Sequence, residues 1–114
     1  EICELVRQER IHDRRALLDA LAEQGVAVGG DAGDAGAFSE ELADAIHIFL
    51  ARTASALVVL QAEDLTGMAD PVNVPGTSDE HANWQRKMCT DLAEVFARER
   101  IQLLLQRVSA ARHG

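Results

Sequence analysis

The sequence is poor in aromatic residues. It has no Tyr, one Trp and three Phe, which together make up 4% of the chain. A hydrophobic core in such a chain has to be built from Leu, Val, Ile and Ala. This composition favours helices, because Leu and Ala are among the strongest helix formers.

Basic residues are also scarce. Lys and Arg number 11 against 19 Asp and Glu, which gives a formal net charge of -8 at pH 7, and no basic cluster occurs. Proteins that bind nucleic acids use clustered Lys and Arg to displace counterions from the phosphates. We therefore expect no nucleic-acid partner.

Cysteines and long apolar runs are few as well. Cys3 and Cys89 lack CxxC spacing, so we expect no disulfide, metal site, redox function or cofactor. No apolar run is long enough to cross a bilayer, and residues 1–7 do not resemble a signal peptide. We expect a cytoplasmic protein without membrane contact. Because the chain starts with Glu1 inside a helical pattern, we also expect it to be part of a longer protein.

Apolar spacing predicts two helices in the first half of the chain, at residues 1–24 and 39–53. Gly25 is a natural stop for the first helix, and Ser39 is a good N-cap for the second. Between them, residues 25–38 are rich in Gly and Asp. We interpret them as a surface loop, since Asp would repel phosphate and the glycine spacing does not fit a dinucleotide-binding loop.

The run Ala56-Leu-Val-Val-Leu-Gln61 is apolar and β-branched in its middle. It predicts one strand, buried on both faces as in a parallel sheet. A single strand is incomplete, because its backbone groups need neighbours on both sides. Residues 62–89 are then predicted as a long loop, and 90–112 as a last helix capped by Thr90. As an isolated chain, the protein is predicted to be mainly α with one buried strand.

The loop carries a resemblance to a known family. The residues concerned are Leu57-Val-Val-Leu-Gln-Ala-Glu-Asp-Leu-Thr-Gly67, Pro71-Val-Asn-Val-Pro-Gly-Thr-Ser-Asp-Glu-His81 and Asn83-Trp-Gln-Arg-Lys87. This pattern resembles the C-terminal end of the bacterial 4-alpha-glucanotransferases, the amylomaltases and disproportionating enzymes. The chain departs from it at Ala82 and Gln85, where the family more often has Pro and Arg.

The resemblance implies a C-terminal fragment of an α/β (β/α)8 TIM barrel, with residues 56–61 as its last strand. It also implies a retaining enzyme that transfers segments of α-1,4-glucans and malto-oligosaccharides to an acceptor sugar. In such barrels the active site lies at the C-terminal ends of the strands. The loop at 62–89 is therefore expected to cover the substrate.

Three loop residues match family positions that approach bound sugar: Asn73, Pro75 and Gly76. An amide both donates to and accepts from sugar hydroxyls, and Gly permits close backbone approach. Trp84 either stacks on a sugar or packs the loop onto the barrel, and we favour packing. The family's two catalytic carboxylates and its active-site His-Asp pair are expected upstream of Glu1.

Two segments mimic catalytic motifs of this family. Glu63 and Asp64 lie in a sequence similar to the one around its acid/base Glu, but that motif belongs to an earlier strand. His12 and Asp13 resemble its His-Asp pair, but they lack the flanking Thr residues and lie in a predicted helix. None of the four is expected to be catalytic, so the fragment alone should be inactive.

An alternative of a different class stays open. The chain could act as a non-catalytic interaction module, in which the amphipathic helices self-associate and the lone strand pairs with a second copy. This hypothesis predicts a homodimer of the isolated chain.

Overall fold

The computed structural model describes residues 1–26 and 38–113. Its helices are α1 (Ile2–Glu23), α2 (Glu40–Ala51), α3 (Ala62–Thr66), α4 (Leu92–Ala97) and α5 (Glu99–His113). The prediction of a mainly helical chain is therefore confirmed. Most of the Gly- and Asp-rich loop predicted at 25–38 lies outside the described residues. None of the described helices combines the length and apolar character needed to cross a membrane.

Helix α1 ends in a Schellman motif. The N–H of Gly25 donates to the carbonyl of Ala22 at 3.0 Å, and the N–H of Val26 donates to the carbonyl of Leu21 at 2.9 Å. Gly25 has φ +65°, a left-handed conformation that is costly for residues with a Cβ. Leu21 and Val26 are 0% and 2% exposed, which provides the apolar contact typical of this motif.

Helix α2 begins with a side-chain cap. Ser39 is extended, and its hydroxyl accepts a hydrogen bond from the N–H of Leu42 at 3.2 Å. This bond satisfies one of the free donors at the start of the helix. Hydrogen bonds from its own backbone N–H and from the Ser39 side chain hold the pKa of the Glu41 carboxyl below its usual value.

The core forms where α2 lies against α5. Helix α1 packs mainly on α2, and α4 packs mainly on α5. Its buried members are aliphatic, as the composition predicts: Leu21, Val26, Leu42, Ala45, Ile48, Ala51, Leu65, Val95, Ile101, Leu104 and Val108. The first half of α1 stays outside this core. Ile2, Leu5 and Ile11 are more than half exposed, so the predicted apolar face of α1 is packed only near its C-terminal end.

The structure does not show the buried strand predicted at 56–61. The described residues contain no β-strand, and the side chains of Leu57 and Val59 are 77% and 71% exposed. The segment is irregular because no second strand among the described residues offers donors and acceptors to its backbone. We call residues 56–61 the open segment.

Arg112 fixes the entry to the open segment. Its guanidinium group donates hydrogen bonds to the carbonyls of Thr53 at 3.1 Å, Ser55 at 2.6 Å and Ala56 at 3.3 Å. It also reaches the carbonyl of Ala51, at the end of α2, at 3.4 Å. The planar fork of Arg suits such convergent carbonyls. The C-terminal end of α5 therefore holds the chain where it leaves α2.

The single helix predicted for residues 90–112 is also corrected. Asp91, not Thr90, is the N-cap of α4. Arg98 then interrupts the helix, because its φ of -68° and ψ of 124° are extended. Apolar spacing does not reveal this break, since apolar residues continue on both sides of it.

Candidate functional site

The sequence pattern of residues 70–86 folds into an irregular but well-connected loop, which we call the motif loop. It follows α3 and precedes α4. Within the described residues, its conformation is set by turns and side-chain hydrogen bonds rather than by regular secondary structure. Long loops of this kind in compact chains are usually functional or disordered.

The tip of the motif loop is a type II turn over residues 74–77. The N–H of Thr77 donates to the carbonyl of Val74 at 3.2 Å. Pro75 occupies the second position, where its fixed φ is favoured, and Gly76 occupies the third with φ +84°. A Cβ on Gly76 would meet no atom within 4 Å. Gly76 is therefore required by the backbone conformation rather than by close packing inside the chain.

Asn83 ties this turn to the part of the loop that leads back toward α4. Its Oδ1 accepts a hydrogen bond from the N–H of Val74 at 2.8 Å, and its Nδ2 donates to Oγ1 of Thr77 at 3.0 Å. The Thr77 hydroxyl in turn donates to the carbonyl of Val74 at 2.6 Å. In the sequence, Asn83 is part of the family-like motif, and no separate role is predicted for it. An Asn that precedes a loop reversal is a known turn signal, and it could have pointed to this residue.

Asn73 lies between two anchored neighbours. On one side, the carbonyl of Val72 accepts a hydrogen bond from the N–H of Trp84 at 3.0 Å. On the other, the N–H of Val74 is held by Asn83. The side chain of Asn73 itself is exposed and makes no hydrogen bond within the described part of the chain. The loop therefore presents an amide whose backbone is fixed and whose polar atoms are open to a ligand.

Trp84 has an uncommon backbone conformation. Its φ is +62°, and a left-handed conformation costs a bulky residue about 1–2 kcal/mol. The indole is 76% exposed, so little of it packs on this chain. The structure describes no barrel for it to pack against, and the choice between loop packing and sugar stacking stays a prediction.

Arg86 connects the end of the motif loop to α3. Its guanidinium group donates to the carbonyl of Asp70, and it lies 3.7 Å from a carboxylate oxygen of Glu63. Next to it, Nε2 of His81 is 3.1 Å from the carbonyl of Pro71. Asp70, Pro71, His81 and Arg86 are among the residues that line a groove on the loop. Arg86 and Nε2 of His81 are engaged by the loop, whereas the exposed amides of Asn73 and Gln85 make no hydrogen bond within the described residues.

The carboxylate of Glu80 stabilises a second turn in the motif loop. It accepts hydrogen bonds from the backbone N–H of Ser78 at 2.8 Å and from the Ser78 hydroxyl at 3.3 Å. Backbone hydrogen bonds, first from Ser78 and then from Glu80 itself, hold the pKa of this carboxyl below its usual value of 4.5. The charged form accepts these bonds more strongly than the neutral form, which favours ionisation.

The Glu80 turn is expected to weaken in acid. A carboxyl whose pKa is lower in the folded state contributes stability above its unfolded pKa, and this contribution is lost as the pH falls through the folded pKa. In an NMR titration, the Glu80 carboxyl should titrate below 4.5, and the Ser78 amide resonance should shift over the same pH range. The Glu80→Gln variant is the control, in which that shift should disappear. A Glu80 midpoint at or above the usual value would contradict the hydrogen-bonded geometry.

The residues that mimic catalytic motifs lie on two different helices, Glu63 and Asp64 on α3 and His12 and Asp13 on α1. Asp64 lies 3.8 Å from Nε2 of the buried His47, whose Nδ1 is 2.7 Å from the carbonyl of Ala43. His12 and Asp13 lie exposed on α1. No group of three or more His, Cys, Asp or Glu side chains in the described ranges is arranged to hold a metal ion.

These observations define a helical scaffold that carries an ordered loop with an open amide near its tip. Residues 3–92 match the sequence pattern of the 4-alpha-glucanotransferases. Because this match spans well over half of the chain, the protein belongs to the 4-alpha-glucanotransferase family.

Individual relatives agree with the family match. The chain is 30% identical to a 4-alpha-glucanotransferase of Haemophilus influenzae over 115 residues, which cover 99% of this chain and 16% of that protein. It is 31% identical to 4-alpha-glucanotransferases of Mycobacterium bovis and Mycobacterium tuberculosis over 105 residues, or 87% of this chain and 14% of those proteins. The chain thus spans about one-sixth or less of these relatives. No solved structure matches the chain.

Proposed function

We propose that the chain is the C-terminal region of a bacterial 4-alpha-glucanotransferase and that its motif loop covers an α-1,4-glucan bound to the enzyme. The observation that carries this proposal is the open amide of Asn73 on an ordered loop within the family match. Hydroxyl-rich sugars are bound by groups that both donate and accept hydrogen bonds, as an amide does.

Pro75 and Gly76 complete the proposed sugar-facing tip. Both are exposed in the type II turn that follows Asn73. Because Gly76 has no side chain and its face is open, a ligand can approach the backbone there. The exposed indole of Trp84 is a further candidate contact. Its apolar face suits the C–H face of a sugar ring, and packing of the loop onto the barrel is the alternative that the sequence favours.

In this proposal the open segment is the last strand of a (β/α)8 barrel. Its exposed Leu57 and Val59 would be covered by neighbouring strands and helices. The motif loop follows the carboxyl end of this segment. That is the side on which such barrels build their active sites.

The catalytic carboxylates are proposed to lie in the part of the enzyme outside this chain. Retaining transfer between sugars needs a nucleophile and an acid/base about 5 Å apart. Glu63 and Asp64 are adjacent in the chain, but each faces its own partner, Arg86 at 3.7 Å and His47 at 3.8 Å. These contacts support a structural role for both carboxylates.

Activity assays of two proteins test the proposal. The isolated chain should show no disproportionation of maltotriose, whereas the full-length enzyme that contains it should convert maltotriose to glucose and longer malto-oligosaccharides. Turnover by the isolated chain would contradict the absence of the catalytic pair. A full-length protein with no transfer activity, or an isolated chain that forms a stable dimer in light scattering and melts cooperatively, would favour the self-association module instead.

A further inference from the structure

We infer that Asn83 is a positioning residue, whose side-chain amide fixes the backbone on which Asn73 is presented. Asn83 makes no contact with substrate in the proposed function. Its expected effect on glucan transfer rests on that proposed function.

Two amide side chains of the motif loop differ in their exposure and in their hydrogen bonds. Asn73 is exposed and makes no hydrogen bond within the described residues, whereas Asn83 is half-buried and bonded at both ends. Asn83 reaches Val74, the residue after Asn73, across nine positions of the chain. The adjacent Trp84 reaches Val72, the residue before Asn73. The pair 83–84 therefore holds Asn73 from both sides.

The hydrogen-bond directions require an amide at position 83. The N–H of Val74 needs an acceptor, which Oδ1 supplies at 2.8 Å. The Thr77 hydroxyl uses its proton on the carbonyl of Val74 at 2.6 Å, so it accepts from Nδ2 of Asn83 at 3.0 Å. Only a side chain with one acceptor and one donor satisfies both partners.

A carboxylate at this position would fit in size but not in polarity. In Asn83→Asp, one oxygen can still accept from Val74, but the other would face the Thr77 hydroxyl oxygen and, at 3.5 Å, the Thr77 carbonyl. To donate to this second carboxylate oxygen, the Thr77 hydroxyl would have to give up its hydrogen bond to the Val74 carbonyl. The turn would then lose its side-chain bond, and residues 73–77 would become more mobile.

Thr77 provides a matched pair of variants. Thr77→Val removes the hydroxyl with little change in shape, so it should reproduce part of the effect of Asn83→Asp. Thr77→Ser keeps the hydroxyl and should behave like the unmodified chain. Since Thr77 is half-buried in the loop and is not among the residues of the helical core, neither variant should prevent folding.

The first experiment is NMR of this chain. Within the segment 72–77, Asn83→Asp should shift the amide resonances of Val74 and Thr77, whose N–H groups are hydrogen-bonded, and speed their hydrogen exchange by about tenfold, the equivalent of one lost hydrogen bond. The thermal midpoint of the helices should stay the same. Unchanged exchange in this segment would overturn the inference, whatever the function of the protein.

The second experiment is a double-mutant cycle in the full-length enzyme with maltotriose as substrate. Asn83→Asp should lower kcat/KM by about 5- to 10-fold, and the loss should nearly vanish in the Asn73→Ala background, since Asn83 acts through Asn73. Fully additive losses would overturn the inference. If Asn73→Ala alone has no effect while the NMR result holds, the sugar contact of the proposed function fails and the positioning of the loop stands.

Discussion

Replacing Ile101 with Ala is expected to lower the free energy of unfolding of the isolated chain by about 2–5 kcal/mol. Ile101 is 0% exposed and lies on α5, the helix that packs against α2. The substitution removes apolar contacts and leaves a cavity that surrounding helices fill only in part. Because small domains have about 5–15 kcal/mol of stability in total, this loss is large. Urea unfolding followed by circular dichroism measures it.

The matched control is Leu103→Ala on the same helix. Leu103 is 51% exposed, so its truncation should change the free energy of unfolding by less than about 1 kcal/mol. Equal losses for the two variants would show that α5 does not pack on α2 in the isolated chain.

Replacing Asn73 with Ala in the full-length enzyme should lower kcat/KM for maltotriose disproportionation by about 10- to 100-fold, equivalent to about 1.4–2.7 kcal/mol of transition-state binding. The amide of Asn73 has no partner inside the described residues, so its removal deprives only a bound ligand of a hydrogen bond. The thermal midpoint should therefore not change. Steady-state kinetics and thermal melting are measured on the same preparation.

Gln85→Ala is the control for Asn73→Ala. Gln85 is also an exposed amide in the motif loop, at a position where the chain departs from the family pattern. Its removal should leave kcat/KM within about twofold of the starting enzyme. Unchanged kinetics for Asn73→Ala would remove Asn73 from the proposed site, and a lowered thermal midpoint would assign it a structural role instead.

Local signals in the sequence predicted the helical part of the fold. Ser39 caps α2, and Gly25 forms the turn that ends α1, because each acts on backbone groups within a few residues of itself. The break at Arg98 gave no such signal. Its extended backbone separates α4 from α5 within a continuous apolar pattern, so the predicted helix at 90–112 was too long.

The candidate site was predicted only in part. The motif located the loop, and the Pro75–Gly76 pair is the usual composition of the type II turn found at residues 74–77. The different roles of Asn73 and Asn83 did not follow from the sequence. Both are Asn within the same motif, and only the contact with Val74 and Thr77 shows which of them is engaged.

By itself, the sequence determined the helical class, the aliphatic core and, through the pattern at residues 57–87, the resemblance to 4-alpha-glucanotransferases. These depend on composition, spacing and local order. The tertiary structure decided that residues 56–61 stay unpaired, that the last helix is divided, and that Asn83 holds the loop while Asn73 is open. The physical reason is that strand pairing and loop hydrogen bonds join groups distant in the chain, and only the folded backbone shows which partners are present.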